Sequence, residues 1–362
     1  MNNTKIKILY IIPSLSSGGA ERFVLDLICN LDRNIFEPNL LMFNGGGFFL
    51  DDLKQSNIEY KILNKKYKID LLNFCRIYRY IKKNKPDIVH TQLGGDVYGK
   101  IAAKLAGIKK IVSTEQNVND NDNKLISFLK KRTACFSNKV IAISEAVKSD
   151  VIKKYNISQD KVDLIYNGLN LSNFSNISKV KENGEKIIFG SVGRLSEQKN
   201  FSLLFKALSS FKNKNFECLI VGVGELKGQL EQEIVDLNLQ DKVYLLGERK
   251  NVADFLSKLD FFVLPSKWEG LGVVLLEAGA LSLPVLASAT GGILDVIKDN
   301  KTGILFENDN LEDLIDKLSY FFDRNNYSDL KLLGTNLHDL ILDKFDIKKI
   351  SKKYEDMYLN LN

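Results

Sequence analysis

The sequence predicts two α/β domains in tandem, each a mostly parallel sheet covered by helices. Three observations predict it. Short apolar runs alternate with helix-length amphipathic segments along nearly the whole chain. Most of those runs are continuously apolar rather than alternating, as expected when both faces of a sheet are buried. A polar stretch near the middle interrupts the alternation, which then restarts, and 362 residues suffice for two domains.

In the first domain, residues 1–172, strand candidates fall at 6–13, 39–43, 59–63, 88–92, 110–114, 140–144 and 162–166. Helix candidates at 20–31, 71–83, 97–106 and 145–154 lie between them. Residues 168–186 are rich in Asn and Ser, include Gly168 and Gly184, and carry charge from Lys179 to Lys186. The linker is placed at 173–186. The second domain, 187–346, has strand candidates at 187–192, 217–221, 243–246, 261–265, 284–288 and 303–306, again with helices between. From Leu311 onward the pattern is almost wholly helical and ends in a helix at 347–361. No short repeat of the solenoid kind is present.

Composition narrows the class. With 44% hydrophobic and 27% charged residues the chain is an ordinary globular one, neither disordered nor collagen-like. No apolar run approaches the roughly 20 residues of a spanning helix, and the first, 6–13, reads as a buried strand. The expectation is a cytoplasmic protein, soluble or attached to a membrane surface. Cys29, Cys75, Cys135 and Cys218 are far apart, each in an apolar stretch and without metal-ligand spacing, so they read as reduced core cysteines. The net charge of +6 divides unevenly, +10 in residues 1–172 and −4 in the rest, so the first half is the one suited to an anionic partner.

Parallel sheets bind ligands at the carboxyl ends of their strands, so the loops there carry the candidate chemistry. The first, 14–20, brings Gly18 and Gly19 to a helix start and reads either as a tight turn or as an anion seat. The second, GRLSEQKN at 193–200, follows the first strand of the second domain. Arg194 and Lys199 there are suited to clamp a diphosphate, one as a planar fork and one as a compact charge. The alternative is a solvated loop with an Arg194–Glu197 surface pair. The third, 265–278, holds Glu269 before a helix, Gly270 and Gly272 at its start, and Glu277 within an apolar helical run. A carboxylate buried there needs a partner, and paired ribose hydroxyls supply one. The bland alternative is a helix-start acid and a structural buried acid.

These loops, with SSGGAER (16–22), PDIVHTQ (86–92), VIAISEAVKSDV (140–151), IYNGLN (165–170), VGVGE (221–225), LPSKWEGLGVVLLEA (264–278) and ASATGGILDVI (287–297), resemble the family 4 retaining glycosyltransferases over nearly the whole chain. The resemblance implies the GT-B fold, two Rossmann-like doubly wound domains facing each other across a cleft. It implies transfer of a sugar from a nucleotide sugar, UDP rather than GDP, to a glycan or polyprenyl-linked acceptor in surface polysaccharide, lipopolysaccharide or glycoconjugate synthesis. Arg194 and Lys199 would hold the diphosphate. Glu277 would take the ribose hydroxyls. Glu269, Gly270, Leu271 and Gly272 would contact sugar and phosphate, with Gly193 beside them. Gly18 and Gly19 would line the opposite wall, and Arg249 to Val252 would meet the base. The helix at 347–361 would pack back on the first domain. Glu269 is grouped with Arg194 and Lys199 as catalytic, and no cofactor or metal is expected, since the two cations supply the positive charge.

The chain departs from the family in places. Gln116 stands where a histidine often follows Thr-Glu, and an amide binds a hydroxyl but is no general base at neutral pH. His90, taken to end its strand, reads as a satisfied structural histidine or as a sugar contact. Asn170 and Asp295 replace an aspartate and a glutamate that are commoner in the family. The basic stretch 65–85, with Lys65, Lys66, Lys68, Arg76, Arg79, Lys82, Lys83 and Lys85 among Tyr67, Phe74, Tyr78 and Tyr80, reads as an anionic-membrane surface or as an ordinary solvated outer helix. No nucleic-acid motif accompanies it. The alternatives to glycosyl transfer are a GT-B nucleotide-sugar epimerase or hydrolase and a non-catalytic nucleotide-sugar binding protein. A nicotinamide oxidoreductase is disfavoured, because neither domain has the glycine fingerprint.

Overall fold

The computed structural model of the protein describes residues 5–65, 70–118, 124–175, 177 and 186–361. The chain divides into two compact units, Met1–Gly168 with Ile347–Asn362, and Leu169–Asp346. The first boundary therefore falls at 168 rather than 172. Within the linker read at 173–186, residues 176 and 178–185 lie outside the described residues, as do residues 66–69 of the basic stretch.

Unit 1 runs β1 (Ile6–Ile12), α1 (Gly19–Asn30), β2 (Phe36–Met42), α2 (Leu50–Gln55), β3 (Glu59–Ile62), α3 (Leu71–Asn84), β4 (Ile88–Gln92), α4 (Asp96–Leu105), β5 (Lys110–Glu115), α5 (Lys124–Thr133), β6 (Lys139–Ala142), α6 (Glu145–Tyr155) and β7 (Val162–Leu164). The strands form one parallel sheet ordered β3-β2-β1-β4-β5-β6-β7. β1 shows why both faces are covered. Ile8, Tyr10 and Ile12 enter one apolar cluster and Leu9 and Ile11 enter another, which is the alternation of a strand with two buried faces.

Unit 2 runs β8 (Ile187–Val192), α7 (Phe201–Leu208), β9 (Phe216–Val221), α8 (Lys227–Asp236), β10 (Val243–Leu245), α9 (Val252–Leu256), β11 (Phe261–Leu264), α10 (Val273–Ala280), β12 (Val285–Ser288), α11 (Ile293–Val296), β13 (Ile304–Phe306), α12 (Leu311–Phe322) and α13 (Tyr327–Lys344). Its parallel sheet is ordered β10-β9-β8-β11-β12-β13. Phe189 and Phe261 stack at 4.5 Å between ring centres and hold β8 against β11 on the α7 and α12 side. On the other face α10 packs on α13, where Gly279 leaves room for Leu337 and Ile341.

α14 (Ile347–Leu359) belongs to unit 1. Ile347, Ile350, Tyr354, Met357 and Tyr358 recur at helical spacing and are buried in the cluster that contains α1. Polar contacts fix its rotation. Tyr358 Oη is 2.7 Å from Tyr10 Oη, and Glu355 accepts from the Asp32 N–H at 2.6 Å. The cysteines correct the sequence reading. All four are free, but Cys218 alone lies in a core, while Cys29, Cys75 and Cys135 are exposed. Cys29 and Cys75 sit on the outer faces of amphipathic helices, so apolar neighbours in sequence do not become neighbours in space.

Candidate functional site

Unit 2 builds β8, β9 and β10 outward in one direction and then returns to build β11, β12 and β13 in the other. The reversal falls between β8 and β11, and open parallel sheets bind ligands outside the carboxyl ends of their strands at such a point. Two loops meet there, 193–200 after β8 and 265–272 after β11. Lys199 Nζ forms an ion pair with Glu269, which also accepts from Ser266 Oγ at 2.7 Å. The two side chains are only 14% and 7% exposed, so the pair is largely withdrawn from water. A second seam joins the loops. The Lys267 N–H donates to the Gln198 carbonyl at 2.8 Å, and Gln198 Nε2 donates to the Trp268 carbonyl at 3.0 Å.

The glycines explain how the loops come so close. A Cβ on Gly193 would stand 2.7 Å from Lys199 Cε, so this residue leaves the lane along which the lysine reaches Glu269. Gly272 has φ +78°, a left-handed conformation natural to glycine, and it caps α10 with no side-chain hydrogen bond. The first N–H groups of that helix therefore have no side-chain cap and form a potential anion seat. Gly270 and Leu271 are buried beneath the turn. Gly292 braces it from the next loop, its N–H donating to the Glu269 carbonyl at 3.0 Å.

Arg194 is exposed, and among the described residues its guanidinium has no ion-pair partner. Glu197, the alternative partner, pairs with Lys267 instead at 3.4 Å. Glu277 is half-buried, not fully buried as the apolar run implies. The buried side of α10 is carried by Leu275, Leu276, Ala278, Gly279 and Ala280, which leaves Val273, Val274 and Glu277 on the more open stripe. Arg249 is exposed after β10, and Val252, half-buried, begins α9. β10 is two strands from β8, so at a strand spacing of about 4.8 Å these residues stand roughly 10 Å along the sheet edge.

The corresponding reversal in unit 1 lies between β1 and β4. Gly18 caps α1 there, and Gly19 is its first residue. Glu21 turns back over the loop. Its carboxylate accepts from Ser16 Oγ at 2.5 Å and would collide with a Cβ on Gly18. The helix start thus already faces a carboxylate, and a phosphate placed there would meet like charge.

His90 lies in the middle of β4 rather than at its end. It is fully buried, Nδ1 2.6 Å from Tyr358 Oη and Nε2 2.8 Å from Thr114 Oγ1. Burial pushes its imidazole down to about 3, so it is neutral at physiological pH. Of its two readings, this geometry is that of a satisfied structural histidine. Gln116 is half-buried, accepts from Asn167 Nδ2 at 2.8 Å and donates to Gln92 Oε1 at 3.2 Å.

The sequence reading assigned no role to Gln92 or Asn167, although a polar side chain ending an apolar strand was available as a signal. It also missed Asp96 and Lys100, both buried on α4. Burial pushes the Asp96 carboxyl up, Lys100 opposes the rise and Glu115 reinforces it. Among the described residues no group of three or more His, Cys, Asp or Glu side chains is disposed to hold a metal ion.

Two doubly wound units in one chain, the second with cations and a helix start lacking a side-chain cap at its strand-order reversal, define an α/β protein of the nucleotide-binding type of architecture, suited to an anionic ligand. Comparison with known proteins makes the class specific. Residues 17–173 match Glycosyltransferase Family 4, and residues 173–331 match Glycosyl transferases group 1. The chain is 29% identical to the Escherichia coli UDP-Gal:alpha-D-GlcNAc-diphosphoundecaprenol alpha-1,3-galactosyltransferase, over 99% of this chain and 98% of that one. It is 30% identical to a Campylobacter jejuni N-acetylgalactosamine-N,N'-diacetylbacillosaminyl-diphospho-undecaprenol 4-alpha-N-acetylgalactosaminyltransferase, over 83% of this chain and 85% of that one. In fold it is similar to Anabaena Alr3699/HepE in complex with UDP and glucose, with a TM-score of 0.87 at 21% identity over 98% and 100% of the two chains. The chain belongs to the family 4 glycosyltransferases of the GT-B fold.

Proposed function

We propose that this glycosyltransferase is a retaining enzyme that moves a hexosyl or N-acetylhexosaminyl group from a UDP-sugar to a polyprenyl-diphosphate-linked glycan in surface polysaccharide or glycoconjugate assembly. The observation that carries the reading is the junction of the two loops at the β8–β11 reversal. There Lys199 is held by Glu269, Arg194 has no ion-pair partner among the described residues, and the start of α10 has no side-chain cap. Together they offer positive potential to a departing diphosphate without reorganisation at the moment of reaction. Glu277 takes the ribose hydroxyls, and Arg249 to Val252 meet the base.

The relatives support the substrate class. The Escherichia coli and Campylobacter enzymes are named for undecaprenyl-diphosphate acceptors and alpha linkages, and Alr3699/HepE was crystallised with UDP. An alpha linkage made from an alpha-linked nucleotide sugar is retention. In the step proposed, the C1–O bond to the diphosphate breaks and the acceptor oxygen bonds C1 from the same face. The acceptor proton passes to the departing phosphate oxygen, so no side-chain base is required. Such an acceptor lies at the cytoplasmic face of the membrane, and the exposed cations of α3 are suited to meet anionic lipid there.

The experiment is turnover of UDP-galactose, UDP-glucose, UDP-N-acetylglucosamine and UDP-N-acetylgalactosamine with sugar-diphosphoundecaprenol acceptors, with and without chelator. NMR of the product reads the anomeric configuration. An alpha-linked product formed equally in chelator is expected. Release of free sugar at the same rate without acceptor, or recovery of an epimer, makes the protein a hydrolase or epimerase. A beta-linked product overturns retention, and loss in chelator restored by magnesium overturns metal independence.

A further inference from the structure

The loop after β13, residues 307–310, leaves the edge of the unit 2 sheet, two strands from β11 and three from β8. At about 4.8 Å per strand it starts roughly 14 Å along the sheet from the end of β8. It nevertheless reaches both loops of the site. Asn308 Nδ2 donates to the Lys267 carbonyl at 3.0 Å, and Asp309 Oδ1 accepts from Asn200 Nδ2 at 3.0 Å. One residue thus holds the loop after β11, and the next holds the loop after β8.

The two holds differ in weight. The loop after β11 is fastened at several points. The Ser266 carbonyl accepts from Ser288 Oγ at 2.5 Å, the Lys267 carbonyl from Thr290 Oγ1 at 3.1 Å as well as from Asn308, and the Glu269 carbonyl from the Gly292 N–H at 3.0 Å. On the loop after β8 the hold falls on Asn200, the residue directly after Lys199. Asn200 is buried, and its left-handed φ of +53° turns the chain from the short turn Glu197–Lys199 into α7. Asp309 is left-handed too, with φ +60°. Each of these residues carries a backbone cost that glycine would avoid. Strain of this kind persists where the surroundings hold it in place, and what it secures here is a bond between two side chains that glycine lacks. The chain leaving Lys199 is therefore pinned from the far edge of the sheet, and with it the base of the side chain that pairs with Glu269.

We propose that Asp309, acting through Asn200, is a positioning residue for Lys199: it fixes the turn from which the ammonium meets Glu269 and the departing diphosphate. This rests on the glycosyltransferase reading above and adds to it a residue outside the diphosphate clamp that sets the rate. The Asp309 carboxylate makes no ion pair among the described residues, so what it supplies is an acceptor oxygen at a fixed place rather than a charge partner. A displacement of about 1 Å in an oriented group costs up to about a hundredfold in rate, so a loosened turn at Asn200 is felt in kcat.

The test uses the full chain with the UDP-sugar and undecaprenyl-linked acceptor it turns over, together with urea unfolding followed by Trp268 fluorescence. Asp309→Gly removes the acceptor and relaxes the backbone, so kcat is expected to fall about tenfold while the urea midpoint stays close to that of the wild type. Asp309→Asn keeps the acceptor oxygen, tolerates the left-handed conformation and removes the charge, and it is expected to restore kcat to within about twofold of the wild type. Asn200→Gly should match Asp309→Gly, and the two together should lose no more than either alone. In Lys199→Met, Asp309→Gly should lower kcat no further, because its effect passes through the lysine. If Asp309→Gly lowers the urea midpoint, Asn200→Gly carries the same test from the other end of the bond. Wild-type kcat in the glycine variants, an Asp309→Asn as slow as Asp309→Gly, or a further loss in Lys199→Met overturns the inference while the function stands. Failure of the wild-type protein to bind UDP in calorimetry, or undiminished kcat in Lys199→Met, overturns the reading of the clamp and this inference with it.

Discussion

Lys199→Met separates what the Lys199–Glu269 pair does for the fold from what it does for chemistry. The substitution keeps the length of the side chain and removes its charge. Glu269, with its side chain 7% exposed, is left with Ser266 as its hydrogen-bond partner. Breaking a fully buried ion pair costs about 3–5 kcal/mol, and water reaches part of Lys199 at 14% exposure, so about 2–3 kcal/mol is expected. The assay is built into the site. Trp268 is the only tryptophan of the chain and lies in the Glu269 loop, so its fluorescence during urea unfolding reports unit 2. Adding Glu269→Gln should recover at least about 1 kcal/mol, because a neutral amide no longer needs the cation. Turnover should not recover. Without Lys199 the departing diphosphate loses a charge partner, and kcat stays at least about a hundredfold down in the single and double variants. Arg194→Ala gives the contrast. Exposed and without an ion-pair partner among the described residues, it should cost under about 0.5 kcal/mol of stability yet lose a similar factor in kcat. Near-normal turnover in either single variant refutes the clamp, and a double variant no more stable than Lys199→Met refutes the pair.

Glu277→Gln should weaken UDP binding by roughly 1.5–3 kcal/mol through loss of a charge-assisted ribose contact, and unchanged affinity by calorimetry would assign Glu277 a structural role. Binding to anionic vesicles at low salt should fall with added salt and when Arg76, Arg79, Lys82 and Lys83 become glutamine, and a wild-type protein that ignores such vesicles makes this an ordinary solvated face. His90, held near 3 in the fold against about 6.5 unfolded, leaves stability full above pH 6.5 and lowers it as pH falls from there toward 3, because the unfolded chain alone takes the proton. The slope is at most about 1.4 kcal/mol per pH unit, and the unfolding free energy of His90→Gln, measured in urea from pH 7 to pH 4, should fall less steeply than that of the wild type by up to that amount.

The sheets were legible because strands buried on both faces leave unbroken apolar runs, and each of the thirteen strand candidates overlaps an observed strand. Where a run was broken the boundary moved. β2 begins at Phe36 because Glu37 and Pro38, polar or lacking an N–H, still pair in register with β1, while β3 joins the ladder only from Asn39. Helix faces were less legible. In the basic stretch Phe74 and Tyr78 were expected beside the cations at a membrane surface. Both pack against the α3–α4 cluster, and the exposed large apolar side chains of these helices and the next are Leu72 on α3, Leu105 on α4, and Leu125 and Phe128 on α5. A sequence gives the period of a helix, but which stripe turns inward depends on the neighbour it meets.

The candidate site divides along the same line. Arg194, Lys199, Glu269 and the glycine turn are contiguous in short loops, and their spacing alone brings cations and a helix start to two strand ends. The partnership of Lys199 with Glu269 spans 70 residues and exists only because β8 and β11 are neighbours at the point where the strand order reverses. Gln92 ends β4, whereas Gln116 and Asn167 lie in the loops after β5 and β7, and nothing in the identity of a glutamine or asparagine announces that the three will be linked there. Contacts within a loop can be read from sequence pattern. Contacts made by strand order cannot, and it is strand order that pairs Lys199 with Glu269 and links Gln116 to Gln92 and Asn167.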